Sequence, residues 1–180
     1  NKKLKNQIKT EAIFFVNIGG IINITNFSNS FIDEILLAGD IGPGMCLIDK
    51  LVRDNLDQRY DENGKIAKSG KVNKSKLIKL QKKLEDSGAG KLKEWITFDD
   101  NILNEGWYFR SLDIKEFDLS IIKELTLKDA VATLTEFTSL IIGKLHTVGC
   151  MRTTLILCGG GRKNKFLVQR VKKITKHLDA

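Results

Sequence analysis

Three apolar, β-type stretches of this chain each run into a glycine cluster, and that repetition limits the available folds more than any other feature. Ala12–Ile18 stops at Gly19-Gly20. Ile35–Gly39 stops at Asp40-Ile41-Gly42-Pro43-Gly44, which contains the only proline in 180 residues. Thr154–Cys158 stops at Gly159-Gly160-Gly161. After the first cluster the β pattern resumes at Ile21–Thr25, which reads as a tight hairpin. After the second and third, amphipathic helix patterns follow. Strand, glycine corner and helix in that order leave backbone N–H groups free to approach an anion or a flat ligand. Pro43 pre-sets φ for a turn or a first helical position. Asp40, at the end of a buried strand, is aimed into whatever crevice opens there. Each cluster taken singly is also compatible with a plain structural turn. Together they predict one site along one sheet edge, with Gly42, Pro43 and Gly44 as a substrate or phosphate turn.

Hydrophobic periodicity supplies the rest of the order. Strands are predicted near 12–18, 21–27, 34–39 and 153–158, and helices near 45–57, 73–85, 127–146 and 163–177. Three adjacent β segments followed by alternating elements suit an α/β domain with a mixed sheet. The stretch Tyr60-Asp61-Glu62-Asn63-Gly64 has turn chemistry and separates two helices. In helix 127–146, Ala130, Leu134, Phe137, Ile141 and Leu145 form a core stripe, so Thr135 and Glu136 are expected to face outward or a cleft. His146 and His177 fall at helix C-termini and receive no catalytic role.

Composition excludes several classes. The chain is one domain in size, able to bury about two-thirds of its unfolded surface. No apolar run approaches the ~20 residues that cross a bilayer, and no signal-peptide core follows the basic start. Cys46, Cys150 and Cys158 lack metal-ligand spacing and read as reduced thiols. The net charge of +8 raises nucleic-acid binding, but its lysines are dispersed. Lys74–Lys83 recur at helical spacing around Leu77, Ile78, Leu80 and Leu84, a solvated helix face. With no recognition-helix or zinc motif beside it, nucleic-acid binding is disfavoured.

Five motifs occur in one order: Asn17-Ile18-Gly19-Gly20-Ile21-Ile22-Asn23-Ile24-Thr25, Asp40-Ile41-Gly42-Pro43-Gly44 with Leu47-Ile48-Asp49, Ser111-Leu112-Asp113, Ala132-Thr133-Leu134-Thr135-Glu136-Phe137-Thr138, and Cys158-Gly159-Gly160-Gly161-Arg162-Lys163-Asn164. As a set they resemble the anhydro-N-acetylmuramic acid kinase family of the actin-like, sugar-kinase superfamily. The resemblance implies a ribonuclease-H-like α/β domain with a mixed central sheet and flanking helices. It implies an ATP- and Mg²⁺-dependent conversion of 1,6-anhydro-N-acetylmuramic acid, with water, to N-acetylmuramic acid 6-phosphate during cell-wall recycling in the bacterial cytoplasm. In that reading Asp40 is the general base. Asn17, Gly19 and Gly20 meet the phosphates, Gly159, Gly160, Gly161 and Asn164 meet the adenosine, and no residue is assigned to a metal.

The resemblance also sets expectations for organisation. Residues 1–11 read as a polar leader and 12–180 as one domain, the second half of a kinase clipped at both sides. Its complement would be a first kinase domain or a full-length partner, and the family's habit implies a homodimer. The chain departs from the family at Gly39, Ile41 and Met45, and segment 85–110 is atypical. A nucleotide- or sugar-binding remnant without catalysis, and a basic accessory protein touching nucleic acid, are the alternatives.

Overall fold

The computed structural model describes residues 11–29, 34–87, 111–147 (except 114, 116 and 118) and 152–178. Most of the segment read as atypical, the leader residues 1–10 and Cys150 lie outside them. Four strands, β1 (Glu11–Ile18), β2 (Ile21–Asn29), β3 (Glu34–Pro43) and β4 (Arg152–Cys158), form a mixed sheet in the order β3-β2-β1-β4. The first three are antiparallel neighbours, and β4 lies parallel to β1. The helices are α1 (Cys46–Asn55), α2 (Lys65–Ser69), α3 (Lys74–Asp86), α4 (Leu127–Lys144) and α5 (Lys165–Leu178).

Strand alternation decides which sheet face is covered. Phe14, Val16 and Ile18 of β1 and Ile22 and Ile24 of β2 are buried in one core with Leu134, Phe137 and Ile141 of α4. Phe15 and Ile156, paired on the other face, remain 45% and 40% exposed. The central helix α4 contacts all four other helices and β3. It is therefore buried around most of its circumference, and Thr135, expected to face outward or a cleft, is fully buried. Glu136 forms a two-pronged ion pair with Arg170, at 2.6 and 2.7 Å, which fastens α5 to α4. On α3, Leu80 and Leu84 face the core as predicted, but Ile78 is exposed.

The second glycine cluster differs from expectation. The strand does not stop at Gly39 and turn; it runs on through Pro43, which pairs with Ile21, and α1 begins only at Cys46. Proline is tolerated there because β3 is an edge strand of the described sheet. Asp40 pairs with Asn23 and Gly42 with Ile22, so Ile41 is the extra residue of a β-bulge. The bulge turns two consecutive positions toward the helices. Ile41 is wholly buried, and a Cβ on Gly42 would lie 2.8 Å from the Ile141 side chain. One bulky and one absent side chain satisfy that space together.

The turn that follows is locked to the β1–β2 hairpin. Gly20 accepts hydrogen bonds from the N–H groups of Gly44 (2.9 Å) and Cys46 (3.2 Å), and Gly19 accepts from that of Met45 (2.9 Å). The Gly44 amide, expected to greet an anion, is thus donated to the hairpin. Thr138 of α4 closes the same turn by donating to the Gly44 carbonyl at 3.1 Å. A Cβ at Gly44 would collide with the Gly19 carbonyl, whereas one at Gly160 would meet nothing within 4 Å among the described residues. Gly44→Ala is therefore expected to cost about 1–3 kcal/mol in urea denaturation. Gly160→Ala should stay within about 0.5 kcal/mol of the parent. Equal losses for the two variants would contradict the interlock.

Candidate functional site

Because β1, β3 and β4 run in one direction and β2 runs opposite to them, the three glycine clusters meet at one edge of the sheet. Ile18 and Cys158 end their strands there, Ile21 begins β2, and Pro43 ends β3. A cavity of about 560 Å³ opens at this edge. Gly19, Gly20, Gly160, Gly161 and Asn164 line it, so five of the seven residues assigned to nucleotide come together from distant parts of the chain.

The third cluster is not a simple turn. Gly160–Lys163 forms one 3-10 turn ahead of α5. At Gly159, φ is +78°, and a Cβ would collide with the Asn17 side chain and the Ile18 carbonyl. At Gly161 a Cβ would collide with the Ile18 side chain. Two of the three glycines are therefore demanded by packing, and only Gly160 opens onto free space. Asn164 is 5% exposed, and its Oδ1 accepts the Leu167 N–H at 3.0 Å, the capping bond of α5. Its Nδ2 is buried with no hydrogen-bond partner among the described residues.

Asp40 does not line the cavity. It belongs to a lateral row, Asp40–Asn23–Asn17–Cys158, one residue in from the same edge. Alternation puts this row on the sheet face opposite Ile18 and Ile22. The Asp40 carboxylate is half-buried and held at both oxygens: Asn23 Nδ2 donates to Oδ1 at 3.0 Å, and the Leu112 N–H donates to Oδ2 at 3.0 Å. The motif Ser111-Leu112-Asp113 thus has a physical role, because its central amide fixes the acid. Each carboxylate oxygen retains a further lone-pair site for a water or hydroxyl.

Sequence reasoning gave no role to the cavity's remaining polar wall. Asp61, only 2% exposed, accepts the N–H groups of Ile66 (2.8 Å) and Ala67 (3.0 Å) and so anchors α2. Between them Asn63 (φ 57°) and Gly64 (φ 74°) take left-handed conformations. A Cβ at Gly64 would press on Asn164 and Phe166, which shows how closely this turn packs on the start of α5. Asp49 of α1 also lines the cavity; burial raises its carboxyl above the ordinary range, Arg53 opposes that and Asp61 adds to it. The signal was present in Leu47-Ile48-Asp49, an acid one turn into a helix whose neighbours are core residues. No group of three or more His, Cys, Asp or Glu side chains among the described residues is placed to hold a metal ion.

The sequence model of a family described as anhydro-N-acetylmuramic acid kinase matches residues 3–179. This chain belongs to the anhydro-N-acetylmuramic acid kinase family. Its fold is accordingly the α/β, actin-like ATPase type, with ribonuclease-H-like strand and helix order. It is 40% identical over 176 residues to the anhydro-N-acetylmuramic acid kinase of Pelagibacter ubique (strain HTCC1062), covering 94% of this chain and 42% of that protein. It is 33% identical over 160 residues to the one from Sulfurovum sp. (strain NBC37-1), covering 89% and 40%. The Caulobacter vibrioides (strain ATCC 19089 / CIP 103742 / CB 15) protein of that name is also 33% identical, over 156 residues, covering 86% and 36%. The chain therefore spans about two-fifths of the length of these relatives. No helix among the described residues is long and apolar enough to cross a membrane.

Cys46, the first residue of α1, gives this region a pH signature. Burial pushes its thiol up from 9.0 to about 11. The folded chain then holds this proton more tightly than the unfolded chain does. The associated stability is full below about pH 9 and is lost as pH rises through about 11. Two pH units correspond to roughly 2–3 kcal/mol. Denaturation at pH 8 and pH 11 should show a fall of that order in the parent relative to Cys46→Ala. Parallel pH dependences in the two proteins would contradict it.

Proposed function

We propose that this chain forms the nucleotide-holding part of an ATP-dependent anhydro-N-acetylmuramic acid kinase, with Asp40 as the general base. One observation carries the reading: glycine corners more than a hundred residues apart, Gly19-Gly20 and Gly160-Gly161, wall a single cavity together with Asn164. Its volume falls within the range of roughly 300–1,000 Å³ common for small-molecule sites. The cradle fits a nucleotide at two points. Among the described residues, Gly160 presents backbone with open space where a side chain would stand, and Asn164 presents an amide N–H without a partner.

In this reading Gly19-Gly20, with Asn17 beside it, approaches the β- and γ-phosphates, and Gly159–Gly161 with Asn164 supports the adenosine. Asp40 takes a proton from the water that attacks the anomeric carbon of 1,6-anhydro-N-acetylmuramic acid. The bond from that carbon to O6 breaks, and the freed O6 accepts the γ-phosphoryl group, leaving ADP and N-acetylmuramic acid 6-phosphate. The bonds from Asn23 and Leu112 hold the carboxylate still for that task. Gly42, Pro43 and Gly44 then serve the sugar side by fixing the strand that carries Asp40. Mg²⁺ enters with the nucleotide, and no step is assigned to it through residues of this chain.

Residues 12–180 act in this proposal as one ribonuclease-H-like unit, the second half of the kinase. The opposing wall comes from the remaining length seen in the relatives, or from a partner copy in a homodimer. The substrate, a product of cell-wall turnover, assigns the reaction to peptidoglycan recycling in the bacterial cytoplasm.

In an enzyme of full family length carrying this segment, Asp40→Asn should lower turnover by about 10²–10⁴-fold or more in a coupled ADP-release assay. Nucleotide affinity, read by thermal shift with ATP–Mg²⁺, should hold. Undiminished turnover would remove Asp40 from the base role, and a stabilising shift with the sugar but not with ATP–Mg²⁺ would reverse the assignment of the cavity.

A further inference from the structure

Resting on the nucleotide reading above, we infer that Asp49 and Asn164 form an acceptor–donor pair that grips the nucleoside and decides which nucleotide the cavity admits. Both side chains line the cavity, and each holds one polar atom that is buried without a hydrogen-bond partner among the described residues: Asp49 Oδ1 and Asn164 Nδ2. Buried polar atoms in folded chains are nearly always matched, so two orphans in one cavity wall call for a common partner.

The donor's identity is fixed by the fold. Asn164 must present Oδ1 to the Leu167 N–H to cap α5, so its amide cannot be turned over, and Nδ2 is held as a donor. Neighbouring acids do not compete for it. Asp61 is engaged by the Ile66 and Ala67 amides, and Glu62 pairs with Lys65 at 3.1 Å. The packing of Gly64 on Asn164, and the influence of Asp61 on Asp49, gather both groups beneath the turn 61–64. Three carboxylates (Asp49, Asp61 and Glu62) line the cavity against one cation, Lys163, so the balance of charge on this wall is negative and disfavours phosphate. The partner is therefore an uncharged polar edge carrying both a donor and an acceptor. A nucleoside offers that chemistry in two places: the amine and ring nitrogen of adenine, and the ribose hydroxyls. Burial already raises the Asp49 carboxyl, and a ligand N–H or O–H directed at it would relieve that cost.

Isothermal titration calorimetry of the chain with ATP–Mg²⁺ tests the pair through two isosteric variants. Asp49→Asn removes the carboxylate. Asn164→Asp keeps an oxygen to cap α5, where a carboxylate is also accepted, and replaces the donor by a charged acceptor. Each variant should weaken ATP–Mg²⁺ about tenfold, and because one substitution removes a negative charge and the other adds one, a loss shared by both does not come from charge. Inosine triphosphate, which lacks the amine, and 2′,3′-dideoxy-ATP, which lacks both hydroxyls, separate the two sources: the analogue missing the true partner binds weakly to the parent and is indifferent to both substitutions. Melting curves monitor folding, and the two variants test the pair independently. If the parent binds ATP–Mg²⁺ and both variants stay within about twofold of it, the pair is overturned while the nucleotide reading stands. If the parent binds no nucleotide, that reading falls and takes the pair with it.

Discussion

Three hydrogen bonds hold the functional edge of this protein together: the amides of Gly44, Met45 and Cys46 donating to the carbonyls of Gly19 and Gly20. They join a hairpin to the start of a helix. Both partners are backbone, so the contact needs glycine for its closeness and not for a ligand. Without it, the β1–β2 turn would be free of α1, and the cavity wall built from Gly19, Gly20, Met45 and Asp49 would have no fixed shape. Thr138 adds α4 to the same junction, so the turn is held from the sheet, from the following helix and from the core.

That junction separates two kinds of chemistry along one sheet edge. On the helical side, glycine backbone and a polar wall enclose a cavity. On the other face, Asp40, Asn23 and Asn17 form a row of side chains held by strand register. The bulge at Ile41 brings about the division. It keeps Ile41 and Gly42 both toward the core, while Asp40 stays paired with Asn23 on the opposite side. A plain strand of the same length would carry the residues beyond Asp40 in the opposite phase, because a shift of one residue exchanges the two faces.

Much of this was legible in the sequence. Strands near 12–18, 21–27 and 153–158 and the four longer helices follow from hydrophobic period, and the shared edge follows from glycine clusters at strand ends. What escaped has physical reasons. Periodicity cannot register a bulge, so β3 was expected to end at Gly39 and not at Pro43. A five-residue helix, Lys65–Ser69, is too short to show a period, and it depends on Asp61, a buried acid reaching five and six residues ahead. Thr135 looked peripheral because its stripe was judged from one helix, whereas burial on α4 is set by four neighbouring helices. Among residues proposed to meet a ligand, the sequence pointed to Asp40, Asn17, the glycines and Asn164. It passed over Asp49, whose interest lies in a missing partner, a property of packing and not of spacing.

The central claim is that glycine corners from both ends of the chain serve one ligand. Amide chemical-shift mapping of the ¹⁵N-labelled chain during titration with ATP–Mg²⁺ addresses it directly. The account predicts that the largest shifts fall on Gly19, Gly20, Gly160 and Gly161 together, saturating with a single affinity. Shifts confined to one corner, or gathered on the lysine-bearing face of α3, would contradict it.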